Sequence, residues 1–313
     1  MSQQSNSIRD QDDDRLVDAL LQGTSRTFAL AIPLLTSERR RQTGVAYLLF
    51  RVADSIEDAP EADVSTRIWL LQQLRAVLAA RFDTGIHPSC MGDLGRLGEL
   101  WPAECATSEL LRQLPRLLMI LDKLPPSARN VICRSAIQTI EGMTRILDTC
   151  RASGMQIQME TVSDLQSYCY VVAGIVGEML TDLFVLHQPT TCIAASELRS
   201  LSVGFGEFLQ LTNILKDSEQ DARDGRVFIP SGTSRETVVE LAFHAGVAAN
   251  RYICLLEKHD FPDDITAFCR FICLLAEGTL NRVRIAASGS KLTREEVLQM
   301  LNAVRPSSQV IPV

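Results

Sequence analysis

The chain has 313 residues, 46% of them apolar and 22% charged, with a formal net charge of −7. This composition excludes a disordered chain and is enough for a large core. The acidic balance, with no long basic run, excludes a nucleic-acid binder working through bulk charge, so any basic site is local. In chain order, residues 1–15, MSQQSNSIRDQDDDR, are polar and acidic and lack the basic start and apolar middle of a signal peptide. They read as a disordered lead-in. Beyond them, apolar residues recur at three- and four-residue intervals. That spacing predicts helices near 14–32, 37–58, 63–82, 108–121, 126–151, 161–187, 194–222, 234–258, 262–288 and 293–302. Turn chemistry separates them: GIHPS at 85–89, LPPS at 124–127, HQPT at 187–190, DGRVFIPSG at 224–232 and DFPDD at 260–264. Pro125 and Pro126 suit a helix start.

No repeat and no low-complexity linker divides the chain. One all-α domain is expected over 16–303, with a tail at 304–313. The longest apolar run, VVAGIVGEMLTDLFVL, is interrupted by Glu178 and Asp182 and falls short of the about 20 residues a membrane span needs. The nine cysteines are scattered without CxxC pairs, as free thiols of a reducing compartment would be, and neither they nor the four histidines have zinc-site spacing. Cys269 and Cys273 read as core.

The apolar stretch GVAYLLF runs into FRVADSIEDAP at 50–60. On a helix of about 100° per residue, Tyr47, Arg51, Asp54 and Asp58 form one stripe, at roughly 0°, 40°, 340° and 20°, with Glu57 to one side at roughly 280°. In a second array, Asn213, Asp217 and Asp221 recur every four residues and Asp224 follows. Like charges at this spacing destabilise an isolated helix, so two such arrays suggest a cation between them. A solvated surface face is the plainer reading of either array alone. Hard oxygen ligands without His or Cys point to Mg²⁺, which binds through a few carboxylates plus substrate phosphates. Arg26, Arg51, Lys216 and Arg226 lie in or beside the arrays and suit a diphosphate. Asp224, next to Gly225, reads as solvent-facing at a helix stop. Gly174 and Gly177, inside a helical pattern, suggest a tight helix crossing or a cavity wall.

Four stretches, TSRTFALAIPLL (24–35), AYLLFRVADSIEDA (46–59), YCYVVAGIVGEML (168–180) and LQLTNILKDSEQDARDGRVFIP (209–230), resemble in order those of the squalene/phytoene synthase family. Its members join two prenyl diphosphates head to head. The resemblance implies a single-domain isoprenoid synthase helical bundle around a large apolar cavity. Asp54, Glu57 and Asp58 match the family's first acidic motif, and Asp217 and Asp221 the second, with Asn213 beside it. These are the implied Mg²⁺–diphosphate ligands. Arg26, Arg51, Lys216 and Arg226 match positions that hold diphosphate or the phosphates of the nicotinamide cofactor. Lys291 and Arg294 lie near a cofactor-contacting pair of squalene synthases, at a different spacing. Tyr47 and Tyr168 match tyrosines implicated in proton transfer and cation control.

DSIED resembles the squalene synthase form, most like a bacterial squalene synthase, whereas 209–230 lies closer to phytoene synthases. The implied reaction is Mg²⁺-dependent condensation of two farnesyl diphosphates to presqualene diphosphate, then reduction by NADPH to squalene. The alternatives are a phytoene or dehydrosqualene synthase without reductant, an enzyme stopping at presqualene diphosphate, and a non-catalytic assembly factor of the same fold. The implied setting is cytoplasmic, with peripheral membrane contact left open, as monomer or homodimer.

Overall fold

The computed structural model describes residues 2–59, 62–83, 94, 97–102, 105–153, 157–188, 192–285 and 291–305. Among these residues the regular structure is helical, apart from one isolated bridge between Gln158 and Val227. The chain divides into two compact units, Met1–Leu147 and Asp148–Val313.

The first unit contains α1 (Ser2–Thr24), α2 (Phe28–Ala31), a 3-10 turn at Ile32–Leu34, α3 (Ser37–Glu57), α4 (Val64–Asp83), α5 (Ala106–Arg112), α6 (Leu114–Lys123) and most of α7 (Pro126–Ser153). The lead-in expected to be disordered is instead the start of α1. Val17, Leu20 and Leu21 of this helix are buried. Gly44 of α3 makes room for it, since a Cβ there would lie 2.8 Å from Val17 Cγ1. The acidic run is neutralised by cations from distant elements: Asp14 pairs with Arg41 at 2.6 Å, Asp18 with Arg40 at 2.7 Å, and Asp13 with Lys123. Composition alone does not reveal such partners.

The helix expected over 14–32 breaks at Ser25, whose Oγ accepts the Phe28 N–H at 2.9 Å and starts a new turn. The helix expected over 108–121 divides at Gln113, where a proline opens α6. GIHPS, with His87, and the tail from 306 onward lie outside the described residues.

A buried ion pair ties α4 to α6. Arg81, 6% exposed, donates to Asp122 Oδ1 at 3.0 Å and to the Val77 carbonyl. Removing one partner strands a buried charge. Asp122→Ala is therefore expected to cost about 3–5 kcal/mol of stability, read as a lowered urea midpoint. A shift under about 1 kcal/mol would show that water reaches Arg81.

The second unit contains α8 (Val162–Cys169), a π turn (Tyr170–Gly174), α9 (Ile175–Leu186), α10 (Cys192–Arg223), α11 (Arg235–Lys258), α12 (Asp263–Ile285) and α13 (Arg294–Val304). A capping box opens α8: Thr161 Oγ1 accepts the Asp164 N–H at 3.1 Å, and the Asp164 carboxylate accepts the Thr161 N–H at 2.9 Å. Helical structure then continues to Leu186. The apolar run judged too short for a span thus belongs to a 25-residue helix, Val162–Leu186, long and apolar enough to cross a membrane. Its length matches the helix expected over 161–187, of which the apolar run covers only the part from Val171.

Half of the span's apolar window is buried within the protein. Its glycines account for part of that burial. A Cβ on Gly177 would sit 2.0 Å from the Ser202 carbonyl oxygen, and one on Gly206 would sit 2.0 Å from that of Ala173. The tight crossing suggested by the interior glycines is therefore present, backbone against backbone, and α10 supplies a glycine of its own. The hydroxyl of Thr181 donates to the Gly177 carbonyl at 2.9 Å and meets the phenol of Tyr252, 1% exposed, at 2.9 Å. That leaves the Tyr252 phenol as donor to Thr181, so the polar atoms of this crossing are satisfied without water. Gly225, at φ 80°, ends α10 as its sequence position predicts.

Candidate functional site

In the first unit, α3 ends in a polar stripe. Its Tyr47 ring lies 4.7 Å from that of Phe28, and its phenol is hydrogen-bonded to Ser25. Burial raises the Tyr47 phenol above its ordinary value, against the lowering effects of Ser25 and Arg51. Arg51 Nη1 stands 4.0 Å from Asp54 Oδ2, and Arg51 Nε is buried without an acceptor. Surrounding protein raises the Asp54 carboxyl to about 7, with Arg51 opposing and the Asp58 charge adding to the rise. The Asp54 side chain is 38% exposed, so water screens part of this penalty.

The structure thus brings Tyr47, Arg51, Asp54 and Asp58 together, with Asp58 exposed at the helix end. Glu57 is turned inward and only 4% exposed, on the flank its helical phase gives it. Arg26 is exposed in the turn before α2, with no ion pair among the described residues. Ser25 and Phe28 were not singled out in the sequence, because their role depends on a turn that periodicity merged into one helix.

In the second unit, α10 carries the other array. Lys216 Nζ donates to Asn213 Oδ1 at 3.2 Å and pairs with Asp217 Oδ2 at 3.1 Å. Arg226 Nη2 meets Asp221 Oδ1 at 3.0 Å and stands 4.0 Å from Asp224 Oδ2. Asp221 is the more enclosed acid, 15% exposed against 40% for Asp217. Asp224 is exposed, as expected. The bridge fixes the chain after Gly225: the Val227 N–H donates to the Ile157 carbonyl, and the Met159 N–H to that of Val227, both at 2.8 Å.

Tyr168 is 7% exposed, its ring 4.8 Å from Phe228. Two residues on, Tyr170 opens the π turn, half-buried, and donates its phenol proton to Glu178 Oε2 at 3.2 Å. π turns inside helices gather at functional sites. A straight α-helix hides this pairing, since Tyr170 and Glu178 are eight residues apart. Lys291 and Arg294 are exposed at the start of α13.

Among the described residues, no three His, Cys, Asp or Glu groups gather into a metal cluster. The two faces still fit a hard cation. Their acids are oxygen-only, in twos at four-residue spacing, and Mg²⁺ takes one or two carboxylates and completes its shell with water and phosphate oxygens. The unpaired Arg51 Nε suits the anion such a cation would bring.

The chain is thus all-α, with an acidic, cation-flanked helix face in each unit. Solved structures share the fold: TcSQS with the ligand BPH1237 (TM-score 0.72, 24% identity, 94% of this chain and 86% of that one) and a dehydrosqualene synthase with ligand (TM-score 0.64, 20% identity, 95% and 96%). The squalene/phytoene synthase family profile matches residues 21–246, and the chain belongs to that family. The match includes every candidate site residue except Lys291 and Arg294. The squalene synthase of Candida albicans is 33% identical over 226 residues, 71% of this chain and 47% of that protein. The chain spans about half the length of the curated relatives it matches.

Proposed function

We propose that the protein condenses two farnesyl diphosphates head to head to presqualene diphosphate and reduces that product to squalene. The observation that carries this reading is the pairing of each acidic face with its own cations, Arg51 beside Asp54, Lys216 beside Asp217 and Arg226 beside Asp221, in a chain of this family. Asp54 and Asp58, with Asp217 and Asp221, would hold Mg²⁺, Glu57 supporting from within and Asn213 alongside. When bound, Mg²⁺ supplies Lewis-acid stabilisation of the charge on the departing diphosphate. Arg51, Lys216 and Arg226, with exposed Arg26, hold and orient that diphosphate.

Ionisation breaks the allylic C–O bond, and the electron pair leaves with the diphosphate. The second substrate's double bond attacks the cationic carbon. A proton is then lost as its C–H electron pair closes the cyclopropane. Tyr47 and Tyr168 are the acceptors suggested by sequence, along with the released diphosphate. Tyr170 adds a relay, because its oxygen can take a proton while its own passes to Glu178. An apolar cavity would exclude water from the cation. Lys291 and Arg294, exposed cations at a helix start, suit the phosphates of NADPH, which supplies the hydride for the second step. A cytoplasmic site of action with peripheral membrane contact suits the amphiphilic substrate.

A second reading, a dehydrosqualene or phytoene synthase, is favoured by the wording of 209–230. Purified protein incubated with farnesyl diphosphate and Mg²⁺, with and without NADPH and with products analysed by mass, distinguishes them. Squalene only with NADPH is the expected result. The same C30 polyene under both conditions would establish the second reading. Absence of diphosphate release would overturn both.

A further inference from the structure

The second acidic array continues along α10. At about 100° per residue, Val203, Glu207, Gln210, Asp217 and Asp221 fall within roughly 80° of one another, on a single face. Each is only partly covered. Ile214, on the same face between Gln210 and Asp217, is 2% exposed, so the stripe passes from acid through an apolar stretch to a second acid.

Glu207 is the unusual member. It is half-buried, makes no hydrogen bond or ion pair among the described residues, and has its carboxyl raised by burial. It faces Cys169 at the end of α8, and Val203 one turn away lies against Gly174 of the π turn. With no protein partner among those residues, this half-buried carboxylate depends on water, and further desolvation would cost energy. Glu207 lies ten residues from Asp217, about 15 Å along the helix axis. That is comparable to the extended length of a C15 prenyl tail.

We propose that Glu207 selects prenyl chain length, marking the point on α10 where a C15 tail anchored at Asp217 and Asp221 ends and disfavouring a C20 tail. This rests on the reading of the α10 face as a prenyl diphosphate site. A C15 tail follows the partly covered side of this face and, at Gln210, stops short of the carboxylate. A C20 tail presses apolar carbon onto it and strips its water without offering a hydrogen bond.

The test measures turnover of geranylgeranyl and farnesyl diphosphates by wild type, Glu207→Leu and Glu207→Gln. Calorimetric binding of the non-ionising thiolodiphosphate analogue of each chain length runs in parallel. In Glu207→Leu the C20:C15 ratio is expected to rise at least tenfold in both measurements, while Glu207→Gln, still polar, keeps the wild-type ratio within about threefold. If Glu207→Leu does not fold, Glu207→Ala replaces it, with the same rise expected. Binding of both analogues with an unchanged ratio overturns the role of Glu207 alone. Binding of neither by folded wild type overturns the diphosphate reading beneath it.

Discussion

Asp54→Asn and Asp217→Asn are each expected to lower Mg²⁺-dependent turnover by on the order of a hundredfold or more while the helical circular dichroism spectrum stays that of wild type. In the proposed reaction each variant would remove an acid that holds charge at the departing diphosphate, and neither removes buried apolar contact. The Asp54 variant carries a second signature. Its carboxyl is raised to about 7 in the metal-free protein, chiefly by burial, so much of it is protonated at neutral pH. Mg²⁺ affinity should therefore weaken as pH falls through 7, and the Asn variant should lose that dependence.

Stability runs the other way. A carboxyl whose folded-state value lies above its unfolded one favours the fold at low pH, and that advantage is lost as pH rises through about 7. Asp54→Asn should thus raise the melting temperature of metal-free protein more at pH 8 than at pH 5. Full turnover in either variant, with unfolding in its place, would return the arrays to a structural role.

Gly206→Ala is expected to cost at least about 3 kcal/mol, at or beyond the upper end of ordinary overpacking. The added methyl would lie 2.0 Å from the Ala173 carbonyl oxygen, and a backbone carbonyl cannot rotate away as a flexible side chain does. Gly177→Ala meets the Ser202 carbonyl oxygen at the same distance. Gly232, at φ 84° with nothing near its Cβ position, is a control for backbone strain without collision. Chemical denaturation would measure all three. A loss near 1 kcal/mol at Gly206, the ordinary helix-propensity scale, would mean the helices separate easily.

Much of this was readable before the fold. The acids at four-residue spacing gave the α3 and α10 faces, because helical phase is a local property. Gly174 and Gly177 flagged the crossing, but Gly206 did not stand out, because its need for a small side chain comes from a carbonyl more than thirty residues away. The lead-in was misread for a similar reason: Asp13, Asp14 and Asp18 look solvating until Lys123, Arg41 and Arg40 are placed beside them. Glu57 and Asp58 are adjacent in sequence but differ fully in exposure, which follows from their helical phase: Glu57 turns to the buried flank and Asp58 stays on the exposed stripe. The pairing of Tyr170 with Glu178 depends on the π turn, which no 3.6-residue pattern predicts.

The lone bridge at Val227 bears on how an anion is met. With the backbone of Val227 hydrogen-bonded on both sides, to Ile157 and Met159, the segment carrying Arg226 is held before any ligand arrives. The guanidinium is preorganised. Ordering it cost entropy when the chain folded, so an anion arriving there, as the proposed diphosphate would, costs little further ordering.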